Sequence, residues 1–138
     1  HRFSQDASSL ANFIDRLEAQ GGTPLASAIE AANRYLKANA SSTPSNRAII
    51  LLADGKANEG CDQITNVLDK LDSDVSLYKH ETVGLEIDPF STAASQLKEV
   101  ASRTGGEYHH AANARSLDDS LDKAIQGLSL VKLIGQFE

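Results

Sequence analysis

RAIILLADGKANEG (residues 47–60) decides how the rest of the chain is read. Six apolar residues, from Ala48 to Ala53, run without interruption and stop at Asp54-Gly55. Continuous hydrophobicity, in place of alternation, marks a strand covered on both faces, as in the middle of a parallel sheet. The pattern therefore predicts a buried central strand over 47–53 with Asp54 at its carboxyl end. In open α/β sheets ligands sit in the crevice outside the carboxyl ends of the strands. Asp54 is thus the first candidate functional residue.

Working outward, Leu10, Phe13, Ile14 and Leu17 recur at helical spacing and predict an amphipathic helix over 8–19. Thr23 and Pro24 suit the N-cap and first position of a second helix, with Leu25, Ala28, Ile29, Ala32, Tyr35 and Leu36 on one face. The polar segment 38–46 is a loop. Ile64, Val67, Leu68 and Leu71 make a third helical stripe, and 75–85 a second strand. A fourth helix over 92–104 stops at Gly105-Gly106, and a short strand follows at 107–110. The fifth helix is expected to begin at Ser116, with Asp119 completing a capping box. The tail 128–138 reads as helix continuation, linker or extra strand. Strands alternating with helices of this length predict an α/β fold: one domain over 1–138, with a doubly wound, mostly parallel sheet and helices on both faces.

The 138 residues are 41% hydrophobic and 23% charged, which is ordinary globular composition. A net charge of −6 disfavours nucleic acid or an anionic membrane as partner and leaves room for a cation. No run approaches the roughly 20 apolar residues of a membrane span, and HRFSQDASS opens without the apolar segment of a signal peptide. Cys61 is the single cysteine, so no internal disulfide forms.

A carboxylate at a strand end can close an Asp-Gly turn, hold a hard cation, or accept a phosphoryl group. GGTPL (21–25) adds two glycines that admit close backbone approach and a Thr23 hydroxyl at a helix start. A hydroxyl and a carboxylate at one sheet edge suit Mg²⁺, which takes oxygen ligands and keeps several waters. Thr23 also has a plain role as N-cap. His109-His110 point to opposite faces of a strand and His80 stands alone, so these histidines are assigned surface or packing roles. Glu59 and Asp62 add negative potential near Asp54.

GGTPLASAIEAA, AIILLADGKANEG, ETVGLEID and LKEVASRTGGEYHHA, in that order, resemble successive blocks of a von Willebrand factor type A domain, over about Phe3 to Ile125. The resemblance implies a Rossmann-like doubly wound fold and a metal-ion-dependent adhesion site. There Mg²⁺ is held by three loops and completed by an acidic group from a protein ligand. By motif, Thr23 matches the second-loop threonine and Asp54 the third-loop aspartate. The first loop, Asp-x-Ser-x-Ser after a central strand, has no counterpart. Asp6-Ala7-Ser8-Ser9-Leu10 has Leu10 at its fifth position and reads as the cap of the first helix.

The chain therefore resembles a type A domain truncated at its N-terminus, without its first strand, first helix and second strand. The expected function is a non-enzymatic protein-binding module whose Mg²⁺ site, at Thr23 and Asp54, is incomplete. Strand 47–53 has lost one neighbour, so its free edge is expected to take a strand-completing partner, a second copy or the folded-back tail. Two alternatives compete: a receiver-like domain phosphorylated on Asp54, and a structural remnant in a larger assembly.

Overall fold

The computed structural model describes residues 6–18, 24–39, 47–55 and 64–137, with side chains through Leu128. Eight elements follow in the order α1 (Ala7–Ile14), α2 (Leu25–Asn39), β1 (Ala48–Ala53), α3 (Ile64–Ser73), β2 (Lys79–Leu85), α4 (Thr92–Thr104), β3 (Tyr108–Ala111) and α5 (Ala114–Phe137). The strands form one parallel sheet in the order β1-β2-β3.

Period-two alternation sorts the side chains of β2 between two layers. Leu51 and Ala53 of β1 join the main core, with Leu25, Ala26 and Ile29 of α2, Leu68 and Leu71 of α3, and Leu97 and Val100 of α4. Val83 and Ala111, on the other side, pack under α5 through Ala124, Leu117 and Leu121. Helices thus cover both faces, as the alternating pattern predicts.

Two glycines place β3. Gly105 ends α4 in the left-handed region (φ 77°), and the N–H of Gly106 returns to the Ala101 carbonyl at 2.9 Å. Gly106 lies so close to β2 that a Cβ there would stand 1.8 Å from the His80 carbonyl oxygen. The first glycine supplies the turn and the second the close approach.

Four expectations are corrected. First, β1 is not covered on both faces: only Ala53 is buried, while Ile50 and Leu52 are 36% and 46% exposed. Ile50 pairs with Glu81 and Leu52 with Val83, so both face the α5 layer, and α5 lies over β2 and β3 instead. Among the described residues β1 is an edge strand. Second, α1 ends at Ile14 and buries nothing; Leu10, Phe13, Ile14 and Leu17 are all exposed. Its cap is as expected, with the Asp6 carboxylate accepting the Ser8 N–H at 3.0 Å.

Third, β2 begins at Lys79, not 75, because Val75 and Ser76 close α3: Ser76 N–H bonds the Leu71 carbonyl and Val75 N–H that of Asp72. Fourth, the capping box of α5 is Asn113 with Ser116, three residues earlier than expected. Asn113 Oδ1 accepts the Ser116 N–H, and Ser116 Oγ accepts the Asn113 N–H. Asn caps as well as Ser does, so the Ser116–Asp119 spacing was a coincidence inside the first turns. The backbone of 128–137 continues α5, so the tail forms no extra strand.

Candidate functional site

The carboxyl ends of the three parallel strands set one rim. Ala53 is in register with Gly84, and Leu85 with Ala111, so Asp54 leaves β1 level with the end of β2. Asp54 is exposed. Thr23, the Gly21-Gly22 pair, Glu59, Cys61 and Asp62 lie outside the described residues. What is described of the Thr23 loop is its exit: Ala28 N–H bonds the Pro24 carbonyl at 2.9 Å, and Leu25 is buried in the same core cluster as Ala53.

The loop after β2 adds to this rim residues that the sequence did not single out as site candidates. Glu86 is exposed and sits at φ 55°, held there by its N–H to the Ala111 carbonyl at 2.8 Å. A left-handed conformation is costly for a residue with a Cβ. Asp88 Oδ1 accepts the Phe90 N–H, and Ser91 closes the turn on the Asp88 carbonyl and then caps α4. Phe90 stands 95% exposed on that turn. Three carboxylates, Asp54, Glu86 and Asp88, therefore share one end of the sheet, a cation-attracting arrangement. The Asp-Pro of IDPFS was the readable signal for this turn; nothing in a sequence announces a left-handed glutamate.

The metal fits only in part. Among the described residues no three Asp, Glu, His or Cys side chains gather closely enough to hold an ion. Asp54 and the Thr23 hydroxyl would supply two ligands, leaving most of an octahedral Mg²⁺ shell to water.

A second polar cluster lies at the opposite end, where β2 and β3 begin. Glu81 is 1% exposed and faces α5. Its Oε2 lies 2.8 Å from His109 Nε2 and accepts the Glu107 N–H at 3.3 Å. Lys79 Nζ is 3.1 Å from Oε1, but off the hydrogen-bonding direction, so that oxygen has an ion pair and no hydrogen bond. A Cβ on Gly127 of α5 would stand 3.2 Å from the same oxygen. Lys79, Glu81, Glu107, His109, Lys123 and Gly127 line a cleft of about 520 Å³. His109, expected in a surface or packing role, instead pairs with Glu81, and Glu81 was missed; a Glu between His80 and Thr82 in KHETVGL and a Gly inside α5 were its traces.

No helix among the described residues is long and apolar enough to cross a membrane. No curated protein and no solved structure shows significant similarity to the chain. The family model for the von Willebrand factor type A domain, by contrast, matches residues 1–124. Domains of this kind are in the main interaction modules rather than enzymes. A parallel sheet with helices on both faces and an aspartate leaving the carboxyl end of β1 agrees with that match over nine-tenths of the sequence, and the chain belongs to the von Willebrand factor type A domain family.

Proposed function

We propose that the chain is a protein-binding module whose ligand face is the carboxyl end of the sheet, with a weak Mg²⁺ site at Asp54 and Thr23. The observation that carries this reading is the exposed Asp54 at the end of β1, on a rim already carrying Glu86 and Asp88. The shared core of Leu25 and Ala53 supports bringing the Thr23 loop to the same rim. A metal held there would present open positions to an acidic group of a protein ligand. Titration with Mg²⁺ or Mn²⁺ while following thermal unfolding tests this. The expected result is a rise in Tm at millimolar ion that Asp54→Ala abolishes; a metal response unchanged in Asp54→Ala would sink the assignment. Phosphate incorporation at Asp54 from a small phosphodonor would instead favour the receiver-like alternative.

A second reading concerns β1, which among the described residues has no strand on its outer edge and whose Ile50 and Leu52 side chains are exposed. An edge strand with unpaired N–H and C=O groups beside apolar side chains is a template for strand addition. The domain over 1–138 is then completed by a strand from another polypeptide or by a second copy. A monomeric chain with strong amide protection along 48–53 and no added strand would defeat it.

A further inference from the structure

Asn33 of α2 and His80 of β2 are both fully buried, with Asn33 Nδ2 3.1 Å from His80 Nε2. The neighbouring backbone determines which atom carries which proton. Asn33 Oδ1 accepts the Tyr78 N–H at 2.9 Å, so the other end of the amide is the nitrogen, and it donates to the Ile29 carbonyl at 2.8 Å. His80 Nδ1 lies 2.8 Å from the Tyr78 carbonyl, which can only accept. Nδ1 therefore holds the proton, and Nε2 is a lone pair receiving the second Asn33 N–H.

A second proton on this ring would go to Nε2 and meet that N–H head on, donor against donor in a dry interior. The amide cannot turn to offer its oxygen without breaking its bonds to Tyr78 and Ile29. Among the described residues the groups named next supply no anion to compensate, and Arg47, just ahead of β1 with its Nε buried, is a cation. Thr104 of α4 accepts the His80 backbone N–H, Ile49 is its neighbour on β1, and the Gly106 backbone packs on its carbonyl. Lys79 and Glu81, beside it on β2, point to the opposite face and pair with each other. Burial lowers the His80 pKa below its ordinary value, and the Tyr78 carbonyl opposes this only in part.

We propose that the Asn33–His80 contact is a proton-operated catch: proton uptake from solvent at His80 Nε2 undocks α2 from β2 around Asn33. The sign follows from the depressed folded-state value. An unfolded histidine titrates near about 6.5, so the catch is fully closed above that pH. Its stabilisation is lost as pH falls through the folded-state value below it. Because α2 follows directly on Thr23 and Pro24, acid loosening would also reach the binding loop, a consequence that rests on the reading proposed above; the catch itself does not.

Hydrogen exchange on the full, metal-free chain tests it, with α5 amides as internal reference. Between pH 7.5 and 5, protection of the α2 amides around Asn33 is expected to fall by up to about 30-fold more than that of α5. Ring ¹⁵N shifts of His80 should report the Nδ1–H tautomer at pH 7.5. In Asn33→Asp a carboxylate oxygen faces Nε2 and holds the added proton, so α2 protection should rise on acidification, reversing the wild-type slope. An Nε2–H tautomer, pH-independent α2 protection, or an unreversed slope in a folded Asn33→Asp each overturns the proposal. Should that variant not fold, the tautomer and the wild-type exchange profile decide. Loss of metal response with these results intact would count against the binding reading alone.

Discussion

Val75 occupies the position after α3 where a left-handed residue closes the helix, at φ 51°, with its side chain 86% exposed. The hydrogen bonds around it are those of a Schellman ending, which glycine fills without penalty. A β-branched residue there carries strain of about 1–2 kcal/mol, while glycine returns part of that gain through its freer unfolded chain. Val75→Gly is therefore expected to stabilise the protein by about 1 kcal/mol, read as a higher denaturant midpoint with unchanged slope. Nothing is lost in the exchange, because the valine covers no core. The apolar start of VSLYKHETVGL suggested a strand from 75. That reading missed the turn because sequence patterning records hydrophobicity, and a helix ending of this kind is set by a backbone angle.

At the scale of an element, Gly105 and Gly106 look equivalent in sequence and are not in structure. Gly105 has φ 77° and nothing within 4 Å of a built Cβ, so Gly105→Ala should cost about 1 kcal/mol of left-handed strain. Gly106→Ala instead drives a methyl into the His80 backbone, which neither strand can vacate without parting β2 from β3. Its expected cost is well above the roughly 3 kcal/mol of an ordinary overpacked site, seen as loss of cooperative thermal unfolding at 37 °C. The helix end over 92–104 was legible, because a Gly pair after an amphipathic run is a local signal. The division of labour between the two glycines was not, since it depends on His80 in a strand 26 residues upstream of Gly106. The same contrast separates α1 from α4: both show a helical stripe, but only α4 meets a sheet to bury it.

For the whole molecule, the sequence conveyed what the chain was built to surround and hid what surrounds it. Continuous hydrophobicity in AIILLA correctly implied a parallel strand in a two-faced sheet, yet burial depends on neighbours, and β1 has one described neighbour. Asp54 was legible from its place after that strand; Glu86 and Asp88 joined the rim through a turn whose geometry is tertiary. The exposed edge yields a quantitative test. Leu52 is 46% exposed and in register with buried Val83, so it should gain most from an added strand and suffer most from a charge. If strand addition by a second copy completes the sheet, the wild-type chain should sediment as a dimer at tens of micromolar and dissociate on dilution. Leu52→Lys, which puts a charge on the edge, should remain monomeric at the same concentration. The monomer's own stability should change by no more than about 0.5 kcal/mol, as for a solvent-facing site. A loss of more than about 2 kcal/mol in a monomeric wild-type background would mean that the chain covers this strand itself, and the open-edge account of β1 would then fail.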